Sequence, residues 1–372
     1  MERSVDLARQ AIVQCLNVRE GENVWIQSWN HTVDLASKMA LVCLENRAQP
    51  FITLNDENYW IQSLQEASKS FLEALPPTKA AALEQTDAFI FMIGPGKPID
   101  WSKIPSEKQQ LTNMWYLESN RYMDSWRVIA RKRRVRMLGI EYCIATPEMA
   151  TSLGLNYDEW KAVLLEGCLA DQQQITQKSA ELAKIMKESR RVSVETSYGT
   201  NLEFELAGRD PIKGDSIVTK EDAAKGIVKF LPSGFVEVAP NEDTAEGDAV
   251  YNQPVYLHGG KKIEMLTLQF HHGKIERYSA VRDLECFEEY LKATHGDADK
   301  LSFFGLGLNP RLKSGFRQDD KVLGSVTVGI GGNEDKGGKN RTVGRRGWWA
   351  CMTGARVKFD GKTVLEGTKL MI

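Results

Sequence analysis

The first half of the sequence alternates short apolar runs with amphipathic segments, and this alternation constrains the fold more than any other feature. The apolar runs are GENVWIQSW, QPFITLN, LEQTDAFIFMIGPG and RVRMLGIEYCIATP, and each is bounded by Gly, Pro or polar residues. Segments with helical spacing, such as residues 4–17 and 31–47, lie before and between them. Strands separated by helices of about 10–15 residues predict a parallel sheet with helices on its faces.

The pattern changes near residue 190. The stretches RRVSVETSYGTNLEFELAGR, IVKFLPSGFVEVAP, KKIEMLTLQFHHGKIERYSA and SVTVGIGG alternate polar and apolar residues, as half-buried strands do, with one predicted helix at 284–294. A chain of 372 residues is too long for a single hydrophobic core. We therefore predict two domains: an N-terminal α/β domain with a parallel sheet over residues 1–190, and a strand-rich α+β domain over residues 191–372.

Charge and composition exclude several classes of function. A formal net charge of -2 argues against a general role in binding nucleic acid or a membrane surface. No apolar run approaches the roughly 20 residues of a membrane span, and the N-terminal segment lacks the apolar core of a signal peptide. The six cysteines are scattered without a CxxC pair, which predicts reduced thiols and a cytoplasmic protein.

Several phrases, taken in their order, resemble one family over nearly the whole chain. They are GENVWIQSW, TDAFIFMIGPGKP, GTNLEFELAGR, LPSGFVEVAPNEDTAEG, HHGKIERYSA, FFGLGLNP and QDDKVLGSVTVGIGGN. The sequence is similar in this respect to the aminopeptidase T group of thermophilic-type metallo-aminopeptidases, to which dihydroxypyridine dioxygenases are related. The resemblance implies two domains, a homodimer, and a site in the C-terminal domain that faces a cavity.

The positions at which that family holds two metal ions carry other residues in this sequence. The resemblance implies two glutamates, a histidine and a His-x-Asp pair as ligands. The residues at these positions are Phe235, Phe303, Thr327, Gly347, Trp348 and Trp349. Aromatic side chains and glycine cannot ligate a divalent ion, and threonine does so only weakly. None of the five histidines lies after residue 295, so no alignment supplies the family's late histidines.

Acidic residues near these positions leave an alternative metal site open. Glu237 lies two residues after Phe235 and therefore on the same face of a strand. Together with the acids that follow it, Glu237 forms the basis of a carboxylate-only site for Mg²⁺ or Ca²⁺ as one alternative. The other interpretation is that Glu242, Asp319 and Asp320 cap turns or pair with basic residues, and we favour it.

The remaining candidates for chemistry are weaker. Adjacent histidines on a strand point to opposite faces, so we expect that His271 and His272 do not share an ion. His31 is expected to cap the helix that follows it. Cys351 lies beside the aromatic segment and is an alternative nucleophile, but no histidine follows it in the sequence to act as a base.

The replacements share a direction, from metal ligands to aromatic rings, with two arginines close by. Such a set predicts a pocket for a flat or carboxylate-bearing ligand, held by stacking and bidentate hydrogen bonds. We predict Glu237 and Glu242 as proton-transfer groups, and neither a metal nor another cofactor. The predicted substrate-binding residues are Phe235, Phe303, Asn309, Thr327, Arg345, Arg346, Trp348 and Trp349.

Three functions follow from these predictions. The first is a metal-independent enzyme of the aminopeptidase T fold that acts on a small organic or peptidic substrate, anionic or aromatic. The second is a non-catalytic pseudoenzyme that binds a peptide, a metabolite or a partner protein. The third is an aminopeptidase or ring-cleaving dioxygenase with relocated metal ligands. In the two readings without a metal we expect a small-molecule or peptide ligand and a homodimer, without nucleic acid or membrane.

Overall fold

The computed structural model describes residues 2–109, 121–344 and 347–372. Helices form where the sequence has amphipathic spacing, and a π-helical segment, Gln10–Cys15, continues the first of them. Among the described residues, no helix is both long and apolar enough to cross a bilayer. The helices are α1 (Glu2–Arg9), α2 (Val33–Glu45), α3 (Glu57–Glu66), α4 (Lys69–Leu72), α5 (Pro77–Glu84), α6 (Ser106–Gln109), α7 (Arg121–Arg133), α8 (Pro147–Leu153), α9 (Tyr157–Cys168), α10 (Gln172–Glu188), α11 (Lys220–Lys225) and α12 (Leu284–Ala293).

The strands of the described residues form one parallel sheet, two large antiparallel sheets and two small ribbons. They are β1 (Asn23–Trp29), β2 (Gln49–Asn55), β3 (Ala88–Met92), β4 (Arg136–Ile140), β5 (Arg191–Glu195), β6 (Asn201–Glu205), β7 (Ile212–Lys213), β8 (Val228–Leu231), β9 (Phe235–Val238), β10 (Glu246–Tyr251), β11 (Val255–Tyr256), β12 (Lys262–Ile263), β13 (Leu266–His271), β14 (Lys274–Ser279), β15 (His295–Gly296), β16 (Leu301–Gly307), β17 (Val326–Gly331), β18 (Thr342–Val343), β19 (Gly347–Met352), β20 (Arg356–Phe359), β21 (Lys362–Glu366) and β22 (Lys369–Leu370).

The first compact unit comprises residues 1–150, 157–172 and 216–232. Its sheet is parallel throughout, in the order β2-β1-β3-β4-β8. Parallel neighbours need crossover connections, and α2, α5 and α7 lie between the strands that they connect. Apolar clusters cover both faces of the sheet. Ile26 belongs to the cluster that contains α1 and α2, whereas Trp25 packs with Phe89 and Trp126 on the other side.

The second unit comprises residues 151–156, 173–215 and 233–372. An eight-stranded antiparallel sheet has the order β14-β13-β10-β6-β5-β20-β21-β22, and a five-stranded antiparallel sheet has the order β19-β17-β16-β9-β7. The main apolar core lies between them: Phe304 of the smaller sheet contacts Phe204 and Phe359 of the larger one, at ring-centroid distances of 5.2 and 6.1 Å. One face of the five-stranded sheet is thereby committed to the core.

The two units divide the chain differently from the boundary near residue 190 that the sequence predicts. Residues 173–190 belong to the second unit, whereas 216–232 return to the first. In the returning segment, VKFL forms β8 and pairs in parallel with β4. The alternation of polar and apolar residues identifies this stretch as a strand, but it contains no information on which sheet the strand joins.

Candidate functional site

The face of the five-stranded sheet that points away from the core carries half of the site residues predicted from the sequence. The strand registers place Glu237 opposite Gly305, Gly305 opposite Thr327, and Thr327 opposite Cys351. One row therefore crosses β9, β16, β17 and β19, and because side chains alternate along a strand, its residues share a face. We call this surface the Glu237 face.

Aromatic rings flank this row on both sides. Phe303 lies opposite Gly329, and Gly329 lies opposite Trp349, so both rings belong to the Glu237 face. The ring of Phe303 fills the space above Gly329, where an added Cβ would come within 2.2 Å of it. On the other side, the ring of Phe235 fills the space beside Gly214, where an added Cβ would come within 2.1 Å of it. Glycines thus provide the room that the rings occupy.

The central feature of the Glu237 face is a largely buried ion pair that the sequence pattern does not reveal. Lys336 reaches Glu237 with a distance of 2.6 Å between Nζ and Oε1, and the two side chains are only 14% and 15% exposed. The same ammonium lies 4.8 Å from the centroid of the Phe303 ring, a cation–π geometry. Burial raises the pKa of Glu237, and Lys336 opposes this shift without cancelling it. The carboxylate of Glu237 therefore takes up a proton more readily than that of an exposed glutamate, while it contacts a positive charge.

The loop over residues 332–341, which contains the sequence NEDKGGKN, delivers this lysine. Asn340 donates from Nδ2 to the carbonyl oxygens of Leu301 and Gly331, at 2.8 and 3.0 Å. Asn333, which is fully buried, donates from Nδ2 to the carbonyl oxygen of Ser302 on β16 at 2.9 Å and accepts from the backbone N–H of Asn340 at 2.9 Å. Two asparagines thus fix both ends of the loop to the sheet, so that Lys336 has a defined position.

Glu242, predicted as a proton-transfer group, is engaged on several sides. Arg209 donates to both of its carboxylate oxygens, at 2.8 and 3.0 Å. Asn333 and the backbone N–H of Lys339 donate to Oε1 as well, at 3.0 and 2.7 Å. Burial alone would raise the pKa of Glu242, but these hydrogen bonds outweigh it and hold the pKa below its ordinary value. The carboxylate fastens the loop, and we do not retain it as a proton-transfer group.

Thr327 and Cys351 form the far end of the row. Thr327 Oγ1 lies 3.4 Å from Cys351 Sγ, and the two residues are 3% and 6% exposed. Burial, with the nearby charges of Asp320 and Asp319, raises the pKa of the Cys351 thiol. The sulfur therefore stays protonated, which makes it neither a nucleophile nor a metal ligand in this state.

Asn309 and Asp319 serve turns beside the sheet. Asn309 is fully buried and donates to the carbonyl oxygen of Ser233 at 2.8 Å, so it shapes backbone and does not face a ligand. Asp319 accepts from the backbone N–H groups of Gly315 and Phe316, at 2.9 and 3.3 Å. Burial raises the pKa of Asp319 to about 7, and these two hydrogen bonds oppose the shift. The expectation that this acid caps a turn is confirmed.

The two neighbouring tryptophans lie on opposite faces. Trp348 is 9% exposed and packs in the core, with ring-centroid distances of 5.0 Å to Phe287 and 6.1 Å to Tyr251. Trp349 is 48% exposed and lies 6.3 Å from the ring of Phe303. Of the pair, only Trp349 is placed to contact a ligand, because alternation along β19 directs Trp348 inwards. The predicted anion-binding residues Arg345 and Arg346 lie outside the described residues.

The parallel sheet of the first unit carries a separate polar pocket at the carboxyl ends of its strands, where ligands bind in open α/β sheets. His31, predicted to cap a helix, does not do so. Its Nδ1 lies 3.1 Å from Glu57 Oε1 and its Nε2 lies 3.1 Å from the carbonyl oxygen of Cys143. Glu57 also accepts from the N–H of Gly96 at 2.6 Å. The cavity measures about 350 Å³, and its histidine and Glu57 are engaged with each other.

Comparison with known proteins shows which folds and which family this chain is similar to. Wild-type AmpT from Thermus thermophilus matches with a TM-score of 0.69 at 17% identity, over 100% of both chains. The 2,5-dihydroxypyridine dioxygenase from Pseudomonas putida KT2440 matches with a TM-score of 0.63 at 15% identity, over 99% of this chain and 96% of that one. A search of curated proteins found no match. At these identities the structures show a common fold. The model of the family described as thermophilic metalloprotease (M29) matches residues 2–311, and the chain therefore belongs to that family.

Proposed function

We propose that this chain is a metal-independent member of its family, which acts by proton transfer on a small organic or peptidic substrate at the Glu237 face. The observation that carries the proposal is the buried contact of 2.6 Å between Lys336 and Glu237. Divalent ions would neutralise carboxylates at such a site, and here an ammonium group from the protein itself provides the positive charge.

The donor set of the Glu237 face supports this proposal, because it does not suit a two-metal centre. Glu237 is the one carboxylate in the row, and its Oε1 is paired with Lys336. Thr327 offers a weak neutral ligand and Cys351 a protonated thiol, whereas Phe303 offers none. Among the described residues, one group of three His, Cys, Asp or Glu side chains lies close enough together to share a metal ion. That group is on a hairpin of the eight-stranded sheet and not on the Glu237 face.

The ion pair provides two parts of a proton-transfer mechanism. A buried glutamate whose pKa is raised is a better general base near neutral pH than an exposed one. A fixed ammonium stabilises negative charge that develops on a substrate oxygen. A substrate with a carbonyl or carboxylate group would bring an oxygen of that group to Lys336. Glu237 would accept the proton that the substrate, or a water molecule attacking it, gives up. Phe303 and the exposed ring of Trp349 would hold an aromatic or flat portion of the molecule.

One observation favours the second candidate, a non-catalytic binding protein. Glu237 and Lys336 satisfy each other's charge, and Thr327 and Cys351 are almost fully buried. A ligand would then rest on the exposed ring of Trp349 without separating the ion pair. The two candidates share a site and differ in whether Glu237 moves a proton.

A turnover screen with metal-stripped protein separates the possibilities. We expect activity on dipeptides, aminoacyl anilides or aromatic esters that withstands chelators, and loss of that activity in Glu237→Gln with ligand binding retained. Glu334→Gln is the matched control, because Glu334 lies on the same loop but pairs with Arg341 at the surface. Activity that needs added Zn²⁺, Mn²⁺ or Fe²⁺ would refute the proposal, and binding without turnover in every variant would favour the second candidate. We also propose a homodimer, which light scattering on the purified protein tests.

A further inference from the structure

The turn between β13 and β14 brings Glu246 together with two histidines, His271 and His272, that the strand pattern predicts on opposite faces. His271 ends β13, His272 occupies the turn, and Glu246 begins β10, which pairs with β13. His271 Nδ1 lies 2.9 Å from Glu246 Oε2, and His272 Nδ1 lies 3.2 Å from Glu246 Oε1. The two imidazole rings are 4.0 Å apart between centroids.

The expectation that adjacent histidines point to opposite faces is wrong here because His272 is not in an extended conformation. Its φ is 48°, in the left-handed region, and this turns its side chain to the same side as that of His271. Its backbone N–H donates to Glu246 Oε1 at 2.8 Å, which fixes the conformation. Strand alternation therefore fails at the first residue of the turn.

The turn is held firmly by its surroundings. The N–H of Gly273 donates to the carbonyl oxygen of Ala245 at 2.9 Å, and the carbonyl oxygen of Gly273 accepts from Leu301 at 2.9 Å. An added Cβ at Gly273 would lie 1.7 Å from the carbonyl oxygen of Glu242, so this position admits only glycine. The backbone of the two histidines is thus in place before any ligand arrives, which lowers the entropic cost of binding.

We propose that Glu246, His271 and His272 form a binding site for a borderline transition-metal ion, of which Zn²⁺, Cu²⁺ and Ni²⁺ are examples. One ligand atom from each residue lies within 4.8 Å of the others. Bonds of about 2.0–2.2 Å to a central ion require only a modest closing of this triangle. The side chains of His271, His272 and Glu246 are 50%, 77% and 46% exposed, so they have room to adjust. Two imidazoles select these ions over Mg²⁺ and Ca²⁺, which prefer oxygen ligands.

Binding releases a proton from an imidazole, because the ion needs a nitrogen lone pair. Water completes the coordination of the exposed ion. The site lies on the eight-stranded sheet and contains no residue of the Glu237 face.

Calorimetric titration of metal-stripped protein with ZnCl₂ tests this site. We expect one Zn²⁺ per chain, no heat with MgCl₂, and a loss of affinity in His271→Ala and in His272→Ala greater than the about 10–100-fold that removal of an outer-shell partner causes. His295→Ala, an exposed histidine of the same unit, is the control and should bind like the parent. Both ligand positions are exposed, so the variants should fold, and their thermal midpoints without metal should match the parent. Absence of Zn²⁺ binding in the parent, or equal binding in His271→Ala and His295→Ala, would overturn the assignment.

Discussion

Replacing Lys336 with methionine tests whether the ion pair replaces the charge of a metal. The substitution keeps most of the length of the side chain and removes its charge. Glu237, 15% exposed, then lacks the cation that its Oε1 contacts. Removing one partner of a buried pair costs about 3–5 kcal/mol. Because both side chains keep some exposure, we expect the free energy of unfolding to fall by about 2–4 kcal/mol at pH 8.

The size of this loss should depend on pH, and the sign follows from the pKa of Glu237. Burial raises this pKa, and Lys336 is the group that opposes the rise. Without the lysine the folded protein binds the proton more tightly, so lowering the pH neutralises the stranded carboxylate. The destabilisation should therefore be smaller at pH 5 than at pH 8.

Equilibrium unfolding in urea at both pH values measures the effect. The double variant Lys336→Met with Glu237→Gln should recover stability to within about 1 kcal/mol of the parent, because it leaves no unpaired charge. Lys339→Met is the control: it removes an exposed charge from the same loop and keeps the backbone N–H that binds Glu242. Losses that simply add in the double variant, or a Lys336→Met effect no larger than that of Lys339→Met, would refute the reasoning.

Three further predictions concern the same unit. Trp348→Ala should lower the free energy of unfolding by about 3–5 kcal/mol because it leaves a cavity in the core. Trp349→Ala should keep the free energy of unfolding within about 1 kcal/mol of the parent and weaken ligand binding. Denaturation curves measure the first effect, and thermal-shift titrations with ligand measure the second. The folded-state pKa of Asp319 is about 7, against an ordinary value of 3.8. The contribution of Asp319 to the free energy of unfolding therefore declines as the pH rises from about 4 to 7, by at most about 1.4 kcal/mol per pH unit. Asp319→Asn should flatten the pH profile of the melting temperature, and an unchanged slope would contradict this. Gly329→Ala should lower the free energy of unfolding by about 1–3 kcal/mol, because the new methyl group would lie 2.2 Å from an aromatic ring. Gly305→Ala should lower it less, because the nearest atom would be 3.3 Å from the new methyl group. Equal losses of the two variants in chemical denaturation would count against the packing described.

Much of the fold follows from periodicity in the sequence. The phrase RRVSVETSYGTNLEFELAGR contains the antiparallel pair β5 and β6, and the helix predicted at 284–294 is α12, Leu284–Ala293. These features depend on neighbours in the sequence, where strand alternation and helical spacing are visible. The sheet that β8 joins depends on contacts with distant strands, which local patterns do not encode.

For the candidate site, too, the features set by local sequence could be predicted, and those set by distant contacts could not. Strand alternation correctly predicts that Phe235 and Glu237 share a face, and the registers bring Phe303 and Thr327 to it. Lys336 gave no signal, because a lysine in a glycine-rich loop resembles any solvated surface charge. Its role depends on Asn333 and Asn340, which bond to backbone atoms of the sheet and the loop. Strand alternation fails to predict the orientation of His272, because a residue with left-handed backbone at a turn breaks the alternation.

The central claim is that the Glu237 face works without a metal ion. Elemental analysis tests it most directly, on a double variant with His271→Ala and His272→Ala that is purified without chelators. This variant lacks the proposed hairpin site, so any tightly bound ion that remains must lie elsewhere, the Glu237 face included. We predict less than about one transition-metal ion per ten chains, together with unchanged turnover or ligand binding after chelator treatment. One or two Zn, Mn, Co or Fe ions per chain, whose removal abolishes activity, would contradict the account.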